Sequence, residues 1–324
     1  MKAVVIPQFG GPEVLRVEEM PEPEPQPGEV LVRVQAAGIN FADLITARGG
    51  YPNIPKPPLI AGREFAGVRE DTGERVMGYI QWGAFAEKVA AQLFWPAPQG
   101  WSFEEAAAFP VNFFTAYLAY WEAGLVDSSA AGKRVLIHAA AGGVGTAAVE
   151  IGKILGIESF GTSSSDEKLA RVAELGLTHG INYVKKDYEK SILKKTDGAG
   201  VDAVFEMLGG EHTNKSIRCL GEFGRLIQFG SASGKRPEVD ARMLYVKSTS
   251  VHGLWLSVLS RNEQVMKPAW EKLSQWIAEG KLRPVVGEVV AMNQVAEGYR
   301  CIEDRKNFGK VVLKIGGGVT TVRG

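Results

Sequence analysis

Cysteine is scarce in this chain of 324 residues: there are two, Cys219 and Cys301, far apart and without C-x-x-C spacing. That excludes a disulfide framework and a zinc lobe of four cysteines, and it fits a reduced cytoplasm, the expected location. Histidine is almost as rare, at four residues. Neither sign of charge is in excess, with 37 Lys plus Arg against 37 Asp plus Glu. No long-range field draws the chain to nucleic acid or to an anionic membrane, and neither is expected as a partner. The first residues, "MKAVVIPQFGG", lack the apolar core and small-residue cleavage site of a secretory signal. The most apolar window, 106–121, is short for a membrane span and contains Pro110, Asn112 and Thr115, so it reads as buried helix. Internal repeats and low-complexity tracts are absent.

What the sequence does have is 45% hydrophobic and 23% charged residues, enough for a sizeable core and, at this length, two domains. From Lys133 onward short apolar runs alternate with helical patterns. Strands are expected at 134–140, 159–162, 181–183, 201–208, 225–230 and 250–256. Between most of them lie amphipathic segments that end in glycine, such as "DEKLARVAELG" and "EHTNKSIRCLG". This alternation predicts an α/β fold with a doubly wound parallel sheet. Upstream, "AVVIPQF", "EVLVRVQAAGIN" and "GAFAEKVAA" are strand-like, and "PEPEPQPGE" is a rigid turn. The C-terminal segment returns to helices and a last strand, "GKVVLKI". The simplest architecture is a sheet-rich domain, 1–118, an inserted nucleotide domain, 119–256, and a return, 257–324, that completes the first.

The inserted domain opens on "RVLIHAAAGGVGTAAVEIGKILG". After Gly142, the run Gly143-Val144-Gly145-Thr146-Ala147-Ala148 fits G-x-G-x-x-G/A, directly behind an expected strand and opening a helix. The first glycine makes the tight turn, the second lets backbone approach a pyrophosphate, and the small last residue permits close packing of helix on strand. A turn that serves packing alone is the competing reading. The next strand decides the adenosine end. NAD-selective sites place Asp or Glu there, whereas this strand ends in "GTSSSDEK", with Ser163 and its neighbours where the acid would stand. Small hydroxyls leave room for a phosphate, so NADPH is the expected cofactor. Lys168 either supplies positive charge to that phosphate or is a solvated helix residue. Asp166 and Glu167 suit a helix start whatever the cofactor.

Together with "GINFAD", "FFTAY", "INY" and "GLWL", the run "HAAAGGVG" gives a resemblance over essentially the whole chain. The chain resembles the zinc-free quinone oxidoreductases of the medium-chain dehydrogenase/reductase superfamily. The resemblance implies a Rossmann domain inserted into a GroES-like catalytic domain, NADPH, and a homodimer joined through the nucleotide domains. By position it implies that Lys168, Tyr183 and Arg305 bind the adenosine phosphate. It also implies that Phe229, Gly230 and Ser231, with Gly253 and Trp255, flank the nicotinamide, core packing being the competing reading for Trp255. The superfamily's alcohol dehydrogenases hold zinc with a cysteine near the position of Gly38 and a histidine at that of Arg63, so the resemblance implies no metal here.

Without a Lewis acid, alcohol oxidation lacks the group that stabilises its alkoxide. An electron-poor quinone or an activated C=C accepts hydride with hydrogen-bond donors alone, so reduction of a small quinone or enone is the implied activity. Asn40, in a loop that reaches the substrate side of the nicotinamide in related enzymes, orients a carbonyl or ribose, or else stabilises a turn. Tyr51 matches a pocket-lining tyrosine and resembles the proton donor of enoyl-thioester reductases; a loop brace is the plainer reading. Thr115 is placed near the nicotinamide by family position. Ile45 departs from a position that is tyrosine in some quinone reductases. Arg63 and Glu64 are expected to pair, and Asp43 to anchor a loop. Two other functions stay open: an enoyl-thioester reductase, with Lys235, Arg236, Lys247 and Arg261 at a carrier channel, and a non-catalytic NADPH-binding protein.

Overall fold

The structure, a computed structural model, describes residues 1–315. The chain divides into two units: Met1–Val111 with the segment from Arg283 on, and Asn112–Leu282. Both boundaries lie outside the expected 118/119 and 256/257, for one physical reason. Phe114 and Tyr117 on helix Pro110–Glu122 meet Trp270 and Trp276 on helix Glu263–Ala278, with ring centroids 6.5 and 6.0 Å apart. Tyr120 lies edge-on to Phe205 at 4.7 Å. The aromatic faces of both helices are thus buried in the α/β unit, and its limits move outward.

Six parallel strands build that unit. In spatial order they are His179–Asn182, Glu158–Ser163, Arg134–Ile137, Val201–Glu206, Leu220–Gln228 and Ser250–Gly253. Numbered along the chain this is 3-2-1-4-5-6, the Rossmann order, with the switch point between Arg134–Ile137 and Val201–Glu206. Val135, Leu136, Phe160, Val204 and Leu226 are fully buried, as strands covered by helices on both faces require. The first strand stops at Ile137, short of the expected Ala140, because the chain turns through a left-handed Ala139 at φ 47°. Helix Gly143–Leu155 ends on Gly156 at φ 72°, a conformation that costs glycine nothing.

The other unit has a sheet ordered Val286–Ala291, Lys310–Lys314, Val30–Ile39, Glu64–Arg69, Arg75–Tyr79 and Phe94–Pro96, with Lys88–Ala91 also on Val30–Ile39. A smaller sheet joins Arg16–Glu19, Lys2–Ile6 and Leu59–Ile60. Val4, Ile6, Val32, Phe65, Phe85 and Leu313 form its core. The returning strand pairs antiparallel with Val30–Ile39, Val312 opposite Gly38, so segments from before and after the α/β unit in sequence complete one sheet. Among the described residues no helix is long and apolar enough to cross a membrane.

Candidate active site

Ligands of doubly wound sheets lie beyond the carboxyl ends of the strands, beside the switch point. Apart from Thr115, buried on helix Pro110–Glu122, each α/β-unit residue singled out from sequence follows or ends such a strand. Gly142 caps helix Gly143–Leu155 and brings no side chain, so the first-turn N–H groups of Gly143, Val144 and Gly145 are left for an anion. The turn before it is closed by the Gly142 N–H donating to Ala139 O at 2.8 Å. A Cβ at Gly145 would stand 2.3 Å from Ala139 O and 2.6 Å from Ala140 Cα. The second glycine is therefore demanded by the chain's own turn, a reason additional to ligand approach.

At the adenosine side, the Tyr183 N–H donates to Ser163 O at 3.1 Å and the Lys168 N–H to Ser165 Oγ at 3.3 Å. Ser163, Lys168 and Tyr183 are thus gathered at two neighbouring strand ends. Arg305 belongs to the other unit, where it is exposed after helix Val295–Glu303 at φ 56°. On the far side of the switch point, the Phe229 N–H donates to Glu206 O at 3.0 Å, Gln228 Nε2 to Gly230 O at 2.6 Å and Ser231 Oγ to Lys235 O at 2.5 Å. A Cβ at Gly253 would meet nothing within 4 Å, and Trp255 is half-buried at the start of helix Leu256–Leu259. Lys247 Nζ donates to Leu220 O at 2.7 Å, which ties it to the fold and not to a channel mouth.

In the sheet-rich unit Asn40 is buried and its amide is engaged at both ends. Oδ1 accepts from Lys310 Nζ at 2.6 Å, and Nδ2 donates to Glu64 Oε1 at 2.8 Å and Gly38 O at 3.3 Å. Glu64 also takes the Val111 N–H at 2.8 Å on Oε2 and forms an ion pair with Lys310. The expected Arg63–Glu64 pair does not form. Successive residues of a strand point to opposite faces, so Glu64 goes to Lys310 while Arg63 lies 3.6 Å from Asp43 and donates to Thr46 Oγ1 at 3.0 Å. The Arg63 guanidinium carbon lies against two rings, 3.8 Å from the centre of Tyr51 and 4.1 Å from that of Trp82. Those rings meet edge-on at 88°.

Asp43 anchors its loop, as expected, by accepting the Asn40 N–H at 2.8 Å. Burial pushes its carboxyl from 3.8 up to about 6, against the pull of Arg63. A carboxyl raised in the folded state stabilises that state while protonated. The contribution is full below the unfolded value and lost as pH rises through about 6. Between about pH 4 and 7, Asp43→Asn should therefore gain up to about 3 kcal/mol relative to the natural protein, read from urea unfolding at each pH. A difference that stays constant with pH would refute the burial argument.

Sequence reading missed Lys310 and Trp82, and it missed a buried set in the α/β unit made of His138, Thr162, Glu206 and Ser216. The available signal was polar residues closing otherwise apolar strands, His138 after Ile137 and Glu206 after Phe205.

Residues 143–279 match the family described as Zinc-binding dehydrogenase, and residues 26–93 match the Alcohol dehydrogenase GroES-like domain. The chain is 33% identical to the human Synaptic vesicle membrane protein VAT-1 homolog-like, over 97% of this chain and 81% of that protein. It is 31% identical to Quinone oxidoreductase-like protein 2 of Bos taurus, over 93% and 89%. Among solved structures, the quinone oxidoreductase of Thermus thermophilus, studied alone and with NADPH, superposes with a TM-score of 0.85 at 36% identity, covering 97% of this chain and all of that one.

Proposed function

Because the chain belongs to the quinone oxidoreductase branch of the medium-chain dehydrogenase/reductase superfamily, we propose that it is an NADPH-dependent, zinc-independent reductase of quinones or of activated C=C bonds in α,β-unsaturated carbonyls. The observation that carries the reading is the helix start at Gly142–Gly145, open to an anion beside the switch point. The gathered Ser163, Lys168 and Tyr183 support a phosphate on the adenosine ribose, and Arg305 is a further donor that the family resemblance alone implies.

The residues present do not fit a catalytic zinc. A Cβ at Gly38 would stand 2.5 Å from Glu64 Oε1, 2.6 Å from Lys310 Cε and 2.7 Å from Ala107 O, so a ligating side chain has no room. At Arg63 a buried guanidinium stands where the metal's histidine would be, and it repels a cation.

Bound NADPH supplies a hydride. The first-turn N–H groups would hold its pyrophosphate, and Phe229, Gly230, Ser231, Gly253 and Trp255 would border the nicotinamide. Thr115 contributes a hydroxyl on that side. Arg63, lying against Tyr51, keeps that ring in place, and the Tyr51 hydroxyl or water delivers the proton that completes reduction. Asn40, its amide spoken for by Lys310 and Glu64, serves by holding its loop.

A homodimer is part of this reading. Strand Ser250–Gly253 is paired on one side by Leu220–Gln228 and ends the sheet. Near it Phe223, Tyr245 and Val246 are 75%, 73% and 73% exposed, and the Phe223 N–H donates to Lys247 O at 2.8 Å. Light scattering is expected to give twice the 35.0 kDa chain mass; the single mass would remove the dimer. A cytoplasmic setting belongs to this reading, in keeping with two cysteines that lie far apart in sequence without C-x-x-C spacing.

Turnover of NADPH and NADH with a quinone, a simple enone and a short enoyl-CoA tests the function, with and without Tyr51→Phe. We expect NADPH to be preferred by about 100-fold, the scale of two charge-assisted hydrogen bonds. Tyr51→Phe should slow enone reduction about 10²- to 10⁴-fold and leave quinone reduction nearly unchanged. Dominant enoyl-CoA turnover that collapses in the variant would make the protein an enoyl-thioester reductase. NADPH binding without turnover on any acceptor would make it non-catalytic.

A further inference from the structure

Beneath the carboxyl ends of three neighbouring strands lies a polar set that the proposed chemistry does not use. His138 follows Arg134–Ile137, Thr162 lies in Glu158–Ser163, Glu206 ends Val201–Glu206, and Ser216 is on helix Glu211–Cys219. All four are buried. His138 Nδ1 is 3.0 Å from Thr162 Oγ1, His138 Nε2 is 3.0 Å from Ser216 Oγ, and Ser216 Oγ donates to Glu206 Oε2 at 2.6 Å. The other carboxylate oxygen accepts the N–H groups of Leu208 at 2.5 Å and Gly209 at 3.0 Å.

With a neutral ring, these contacts leave one consistent arrangement of hydrogens. Burial pushes His138 down to about 4, with Glu206 opposing and His212 and Lys215 adding to the effect, so the imidazole is neutral at ordinary pH. A neutral imidazole carries one N–H. Ser216 gives its own proton to the carboxylate, so its oxygen must accept, and the ring N–H sits on Nε2. Nδ1 is then a bare acceptor, and Thr162 donates to it. The result is a one-way series of donors, Thr162 to His138 to Ser216 to Glu206. Reversing any member would set lone pair against lone pair in the dry interior.

Two members also meet loops at the switch point. His138 adjoins the left-handed Ala139 that opens the glycine turn. Thr162 spends its hydroxyl inward, and alternation along the strand sends Ser163 to the opposite face. Glu206 grips the loop through Gly209 and Gly210, at φ 74° and 58°, that leads into helix Glu211–Cys219.

We propose that Ser216 and His138 are positioning residues for the coenzyme, through a directed relay from Thr162 to Glu206 that holds the switch-point loops in the arrangement receiving the dinucleotide. The inference rests on NADPH binding at the glycine turn.

The test begins with the unaltered protein. Nitrogen NMR of the His138 ring should show the Nε2–H tautomer across about pH 6 to 8. Ser216→Ala should bind NADPH about tenfold more weakly by fluorescence titration, the scale of one lost hydrogen bond to a charged group. Its kcat at saturating NADPH should stay within about twofold, and its tautomer signal should change. Thr162→Val should behave in the same way, whereas Thr162→Ser, which keeps the hydroxyl, should bind like the natural protein. An Nδ1–H or charged ring in the natural protein overturns the relay, as does unweakened NADPH binding by Ser216→Ala or equal weakening by Thr162→Val and Thr162→Ser. Should Ser216→Ala not fold, the tautomer and the Thr162 pair decide. A natural protein that binds no NADPH would strike the coenzyme reading, leaving the tautomer to judge the relay.

Discussion

Lys310→Met is expected to cost about 3–5 kcal/mol of stability, because it strands a buried carboxylate. Glu64 is 0% exposed and Lys310 2%. Without the ammonium, Glu64 keeps the Asn40 amide and the Val111 N–H, two neutral donors that cannot balance a full charge in that setting. The double variant Glu64→Gln with Lys310→Met removes both charges and should recover most of the loss. An exposed pair of similar length, Lys185 to Asp166 at 2.5 Å, should contribute no more than about 1 kcal/mol, since water already solvates both partners. Urea unfolding of the single and double variants measures the difference. A single variant as stable as the double would show that charge is not what Lys310 supplies.

Gly145→Ala should nearly abolish NADPH binding, by about 100-fold or more. Helix propensity alone would favour alanine by about 1 kcal/mol. Sterics reverse the sign, because the new Cβ would press on Ala139 O and Ala140 Cα, both backbone and both far inside van der Waals contact. Either the turn or the helix start must move, at about 1–3 kcal/mol, and the N–H groups meant for the pyrophosphate move with it. Gly142→Ala, whose Cβ would find Ala139 O at 3.3 Å, should be milder, and Gly253→Ala, with nothing within 4 Å, should leave stability unchanged. Equal losses at all three positions would sink the steric account.

The α/β unit was legible because its signals are local. Short apolar runs buried on both faces alternate with helices that end in glycine, and the glycine turn lies within a few residues. The limits of elements were less so. The run from Arg134 to Ala140 reads as one strand, and nothing in an alanine announces the left-handed turn at Ala139. The catalytic side was the hardest, since its partners are remote in sequence. Asn40 meets Glu64 across 24 residues and Lys310 across 270, and His138 meets Ser216 across 78. Adjacent Arg63 and Glu64 invited a pairing that strand alternation forbids, and aromatic packing drew helix Glu263–Ala278 into a unit that composition assigned elsewhere.

The sheet that joins Val30–Ile39 to Lys310–Lys314 carries a consequence for the order of events on the ribosome. Asn112–Leu282 is one continuous piece and can fold as soon as it emerges, while the unit built from the segments before and after it in sequence waits for strand Lys310–Lys314. Until Lys310 leaves the exit tunnel, Glu64 has no countercharge and cannot be buried without loss. Strand Lys310–Lys314 thus delivers both the closing edge of that sheet and the countercharge for Glu64 in one event.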